Sequence, residues 1–372
     1  MKNYIKILVI LSIIFVITVI SFNWLINPYG IFNSPEIEGI NKNKPEFSSH
    51  LRLAKAMAVY EQKPEAVILG TSRSEFGFDP NHPGWQVKSV YNIGPSSGNM
   101  YEILRYFQHA HSIKLQKQVI LGVDFRMFNI FEPNEVDFKE SNFNQNQLLT
   151  LASIDTFFSS IKTVFKQHIE EEYLHNGQRH WTFHANNIRK QGGHLQAFRS
   201  VEESYMNKVW NPYQFTNRKQ STLNYFRSLL DIAYRDNVDL RILISPSHAR
   251  LWEALDSVGL WKKFEQWKRE MVRINEQQAK KHGKTPFPLW DFSGYNSFTT
   301  EKVPPLNDKK TQMKWYWESS HYKKELGDYV LDRVFEYKHP DRIIPDDFGK
   351  LLQSKNIEQQ LAKIRVEQQN YR

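Results

Sequence analysis

The chain of 372 residues contains no cysteine. That absence excludes a disulfide framework, a thiolate metal centre, an iron–sulfur cluster and a cysteine nucleophile. Any covalent acyl intermediate on this chain therefore rests on a hydroxyl. Internal repeats and low-complexity tracts are also missing, which excludes a solenoid and a disordered polymer. Long apolar runs are scarce: there is one, so the chain is not a multi-span membrane protein. Acidic residues are in deficit, with 40 Asp+Glu against 49 Lys+Arg and a net charge of +9. A basic surplus fits an acidic partner: nucleic acid, anionic lipid or an acidic polymer.

The one long apolar run narrows that choice. Residues 7–20 read ILVILSIIFVITVI without a charge, and the apolar character continues through Phe22, Trp24, Leu25 and Ile26. Counted from Tyr4, the segment reaches the roughly 20 residues that a bilayer requires. Lys2 and Lys6 precede it, which directs the N-terminus to the cytoplasm and the rest of the chain outward. A cleaved leader is the competing reading, but no small-x-small cleavage site follows in Ser21-Phe-Asn-Trp-Leu. The expectation is an uncleaved single-pass anchor over residues 1–27, with the main domain periplasmic or extracellular. A nucleic-acid partner is then excluded, and the membrane and an envelope polymer take its place.

Beyond the anchor, short apolar runs recur at 66–70, 89–93, 119–124, 240–244 and 288–292. Helix-like stretches lie among them at 48–62, 99–110, 222–235, 261–282 and 324–337. Alternation of this kind implies an α/β fold with a mostly parallel sheet covered on both faces. Residues 131–221 interrupt the rhythm with abundant Asn, Gln and His, and read as a helical insertion or lid. The main domain is expected over 60–340, followed by a helical tail over 341–372. In that tail Ile357, Leu361, Ile364 and Val366 mark an apolar stripe.

Ligand sites in such sheets form at the carboxyl ends of the strands, and the informative residues fall there. Ser72, in Gly70-Thr71-Ser72-Arg73, follows the first strand and offers a nucleophilic hydroxyl. Glu318 and His321 stand three residues apart, so on a helical turn they share a face and the carboxylate orients the imidazole. Gly94 and Gly98 follow the second strand and allow a backbone N–H to approach an oxyanion. Asp124 ends the third strand. His248, after the fourth, is a rival base or a substrate contact, and Asp291, after the fifth, a rival orienter of the base. In the insertion His175, His180, His184 and His194 cluster, with His180 and His184 at a metal-ligand spacing for a helix, though no carboxylate recurs to complete a site. Most of the aromatic residues belong to the core; Trp315, Tyr316, Trp317 and Tyr322 flank the histidine and are candidates for shaping an acceptor cleft.

Taken in this order, the blocks resemble the SGNH (GDSL-like) hydrolase superfamily over about residues 67–334. The resemblance implies a flavodoxin-like, three-layer sheet with the helical insertion. It places the nucleophile at Ser72, the base at His321 and its orienter at Glu318, where the family has Asp. It also places oxyanion donors at the Ser72 N–H, at Gly98 (Gly94 fits less well) and at the position of Asp124. The family carries Asn at that last position, and an ionised carboxylate there donates no hydrogen bond. Arg73, His248, Trp317 and Tyr322 are the expected substrate contacts. The layout is most similar to membrane-anchored members that modify envelope polymers, such as those of teichoic-acid D-alanylation and alginate O-acetylation. In the alginate proteins the acid and histidine precede the serine, so only the theme carries over. The implied activity is ester hydrolysis or acyl transfer at a sugar hydroxyl, with no cofactor and no metal, and with the acyl group supplied by a membrane-bound partner. The alternative is a non-catalytic envelope assembly or polysaccharide-binding protein on a decayed hydrolase scaffold.

Overall fold

A computed structural model describes residues 2–143, 147–169 and 172–372. In chain order the helices are α1 (Lys2–Ile26), α2 (Leu51–Gln62), α3 (Ser72–Gly77), α4 (Met100–Ile113), α5 (Gln147–Leu151), α6 (Ile154–Phe165), α7 (Thr182–Gln191), α8 (His194–Ser204), α9 (Leu223–Arg235), α10 (Ala249–Ser257), α11 (Trp261–Lys281), α12 (Lys324–Phe335) and α13 (Ile357–Tyr371). The strands are β1 (Ala66–Leu69), β2 (Val90–Asn92), β3 (Gln118–Val123), β4 (Asp239–Ile244), β5 (Leu289–Asp291) and β6 (Lys350–Leu351). The chain divides into two compact units, residues 1–63 with 136–174, and residues 64–135 with 175–372.

The first unit is built on α1. Its residues 3–26 are long and apolar enough to cross a membrane, with mean hydropathy 2.8 over the most apolar stretch. The continuously exposed stretch ends at Thr18; beyond it Asn23 and Ile26 are buried, while Ser21 and Trp24 stay exposed. Asn23 donates to Leu151 O (2.7 Å) and accepts from the Ser160 hydroxyl (2.9 Å), and Phe22 packs on Phe157. Just past the helix, Asn27 turns the chain at φ +49° and accepts from the N–H groups of Ile31 and Phe32. Tyr29, Ile31 and Phe32 then join Ala54, Met57 and Leu151 in a small core. A chain beginning beyond Ile26 would lack Asn23 and Ile26 and the buried contacts they make.

The second unit holds a six-stranded mixed sheet of order β2-β1-β3-β4-β5-β6. The first five strands are parallel, as their continuous apolar runs require when both faces are covered. The sixth pairs antiparallel with β5, so the sheet is mostly parallel, as expected. On one face Ile68, Ile120, Leu243 and Phe292 meet Leu326, Val330, Leu331 and Val334 of α12. Elsewhere α4 packs on β1 and against α9, which packs on α11. The expected insertion splits between the units: 136–174 belongs with α1, and 175–221, carrying α7 and α8, belongs with the sheet. In α13, Ile357, Leu361 and Ile364 are buried as the stripe predicts, whereas Val366 is exposed.

Candidate active site

The site begins where β1 runs out. Gly70 sits at φ +146°, and a Cβ there would lie 2.7 Å from the carbonyl oxygen of Gly122 on β3, so glycine lets the chain turn against its neighbour. Thr71 then caps α3, its hydroxyl accepting from Arg73 N–H (3.3 Å), and Ser72 becomes the first helical residue. As the first residue of the helix its N–H has no acceptor four residues back. Asn92, at the end of β2, braces α3 from below by donating to Ser74 O and Phe78 O.

Ser72 Oγ lies 2.7 Å from His321 Nε2, although 249 residues separate them. The other ring nitrogen, Nδ1, bonds to Glu318 Oε1. This chain of contacts fixes the tautomer: Nδ1–H donates to the carboxylate, and Nε2 accepts from the serine hydroxyl. Glu318 and His321 share no helical turn, contrary to expectation; they occupy the loop before α12. Tyr316 bridges Tyr322, Trp317 N–H donates to His321 O (3.0 Å), and the loop between is pinched shut. Inside it Glu318, nearly fully buried, accepts from Ser320 N–H (2.7 Å) and His321 N–H (3.1 Å) as well as from the imidazole. The carboxylate therefore holds both the loop and the ring.

Arg73 faces inward, so its expected substrate contact is corrected. Its guanidinium pairs with Asp124 (2.9 Å) and donates to Ser320 O (2.9 Å) and Tyr205 Oη (3.0 Å). Asp124 also accepts from the Thr71 hydroxyl. Burial disfavours the charge on Arg73, but the Asp124 carboxylate outweighs it and keeps the guanidinium protonated beyond its ordinary range. Asp124 thus ties the turn of Ser72 to the loop of His321, with its carboxyl group engaged by Arg73 and Thr71. Gly98 N–H is likewise committed, to Pro95 O at 3.1 Å. Of the three expected oxyanion donors, the Ser72 N–H remains.

The other expected contacts are structural. His248 caps α10 through Nδ1 and bonds Glu301 O through Nε2 (2.7 Å); burial pushes it down to about 4. Asp291 pairs with Lys268 (2.8 Å) and Ser293, so it does not orient His321. Tyr322 is fully buried, its ring against Gly77, where a Cβ would lie 2.0 Å from it. Trp317 is buried too, and its carbonyl bonds His194 Nδ1 (2.9 Å), so α8 steadies the loop.

One neighbour arrives from α7. His184 lies with its ring 4.7 Å from that of His321, 4.2 Å from Phe76 and stacked on Trp317 at 5.9 Å. Burial, and secondarily the nearby His321 and Arg179, hold it well below its ordinary value, so it is neutral. The histidine cluster in the sequence pointed to this residue, but paired it with His180, which lies before α7 and bonds Thr182 Oγ1 (2.9 Å). Tyr205 carried no signal in the sequence. Among the described residues, His184, Glu318 and His321 bring metal-capable atoms within 4.8 Å of one another.

The chain matches no protein-family model and no curated protein sequence. The assignment of chemistry therefore rests on the geometry itself.

Proposed function

We propose that the chain is a membrane-anchored, outward-facing serine esterase or O-acyltransferase of SGNH type, acting on an acyl ester of an envelope or extracellular polysaccharide. The observation that carries this reading is the Ser72–His321–Glu318 relay, with its 2.7 Å serine–imidazole bond. The strand order 2-1-3-4-5 in the parallel part supports the flavodoxin-like expectation. The position of the site at the carboxyl ends of the strands supports it as well.

In the reaction, Ser72 Oγ attacks the acyl carbonyl carbon while its proton moves to His321 Nε2. Glu318 stabilises the imidazolium through Nδ1–H. The carbonyl electrons rest on the oxyanion, which the Ser72 N–H contacts. Collapse expels the donor's alcohol or thiol with the proton from Nε2 and leaves the acyl group on Ser72. A sugar hydroxyl, or water, then gives its proton to Nε2, attacks the acyl-enzyme and restores the serine. On this reading the two lysines before the apolar run support an outward-facing site, and a membrane-bound partner supplies the acyl group.

A second reading, a non-catalytic envelope-assembly or polysaccharide-binding protein, draws on the engagement of Gly98 N–H and Asp124 with other groups. Turnover of an aryl acetate by the full chain in detergent separates the two. Ser72→Ala and His321→Ala each lower kcat/KM by roughly 10³-fold or more if the relay is catalytic. Equal turnover in all three proteins assigns the residues no catalytic part.

A further inference from the structure

We propose that His184 and His321 form an inhibitory site for a borderline divalent metal ion of the Zn²⁺ class, with Glu318 behind His321 and the Ser72 hydroxyl beside it. Binding at this site stands on the donor geometry alone; the inhibitory consequence rests on the esterase or acyltransferase reading.

The donor set selects the ion. Two imidazoles suit Zn²⁺, whereas Mg²⁺ and Ca²⁺ demand oxygen cages. Tetrahedral ligands at about 2.0–2.1 Å from zinc lie roughly 3.3 Å apart. Metal-capable atoms of His184, Glu318 and His321 already fall within 4.8 Å of one another, so rotation of side chains closes the remaining gap. His184 Nε2 is buried and has no hydrogen-bond partner among the described residues. An unsatisfied buried nitrogen of this kind is destabilising, and coordination would relieve it.

Glu318 completes the arrangement from behind. A ligating histidine characteristically donates its second N–H to a carboxylate, which orients the ring and raises its basicity. His321 Nδ1 makes that bond to Glu318, which leaves Nε2 as the ligand atom. Nε2 is also the atom that receives the Ser72 proton, 2.7 Å from Oγ. Metal on Nε2 removes the base, and the same Glu318 contact serves both states. Phe76 and Trp317 flank the His184 ring and keep it beside that of His321. His180 takes no part, because it is tied to Thr182 before α7 begins.

The test is titration of Zn²⁺ alone into the full chain in detergent, free of any histidine tag, followed by calorimetry. The wild type takes up one tight equivalent, and Mg²⁺ does not compete. His184→Gln and His321→Gln each weaken it at least about tenfold, while Ser72→Ala and His180→Ala retain it. Thermal unfolding of each variant in chelator separates a lost ligand from a lost fold: weakening counts only in variants that melt as the wild type does. With an aryl acetate, Zn²⁺ inhibits the wild type, and His184→Gln requires at least about tenfold more. Absence of the tight equivalent, or its survival in folded His184→Gln, overturns the site. Zinc binding with the expected variant pattern but no turnover in metal-free protein would leave the site standing and defeat the enzymatic reading instead.

Discussion

Replacing Asp124 by Ala probes how the site is held together. The Arg73–Asp124 pair lies 2.9 Å apart, with side chains only 5% and 2% exposed. Removing the carboxylate strands a buried guanidinium, and breaking such a pair costs about 3–5 kcal/mol. The surviving bonds from Arg73 to Ser320 O and Tyr205 Oη keep the effect toward the lower end, about 3 kcal/mol. For a unit of this size that lowers the unfolding midpoint by roughly 6–12 °C. Tryptophan fluorescence during heating is the suitable assay, because every tryptophan except Trp24 lies in the unit that contains the pair. Glu358→Ala, which breaks an exposed and solvent-screened pair with Arg269, supplies the control and is expected to leave the midpoint almost unchanged. If Asp124→Ala shifts the midpoint no further than Glu358→Ala, the reasoning is wrong and Asp124 is free for another task.

Gly327→Ala is expected to unseat α12 from α3, because the added Cβ would stand 1.8 Å from Gly77 O, a backbone atom that cannot yield. The cost is about 3 kcal/mol or more, read by denaturant unfolding, with loss of turnover as His321 leaves Ser72; a variant of wild-type stability contradicts the close approach. Acid lowers stability through His248: burial places it at about 4 against 6.5 when unfolded, so the unfolded chain binds more protons between those values. Its contribution is complete above pH 6.5 and is lost as pH falls toward 4, by up to roughly 3 kcal/mol, with His82, His184 and His194 acting in the same direction. His248→Asn flattens that slope in unfolding curves at several pH values, and an unchanged slope refutes the assignment. At the membrane, the mature chain keeps Asn23 and stays in the pellet through alkaline carbonate extraction; a soluble product beginning beyond Ile26 contradicts an uncleaved anchor.

Much of this arrangement is legible in the sequence because apolar runs report burial directly. All five parallel strands lie where such runs occur, and α9, α11 and α12 follow their amphipathic stretches. Strand β6 escapes because two half-buried residues, Lys350 and Leu351, carry no periodicity. Helix α3 escapes because six residues give too short a window. At the site, the order of motifs brings Ser72, Glu318 and His321 together, yet the spacing of Glu318 and His321 suggested a helix where a pinched loop does the same work. Residues expected to meet substrate failed for a common reason. Arg73, Trp317 and Tyr322 stand beside the functional groups in the chain and His248 follows the fourth strand, but such placement says nothing of which way a side chain turns. In each case the buried carboxylates, carbonyls or rings around them decided it. His184 required the fold of the insertion, since its partner lies 137 residues away.

The central claim is that Ser72 is a nucleophile activated by His321. The direct measurement is labelling of the full chain by a fluorophosphonate, which phosphonylates an activated serine, followed by peptide mass spectrometry. The account predicts a single stoichiometric adduct on the peptide containing Ser72, absent in Ser72→Ala and slowed by roughly 10²–10⁴-fold in His321→Ala. No adduct at Ser72 in folded protein, or equal labelling with and without His321, would contradict it.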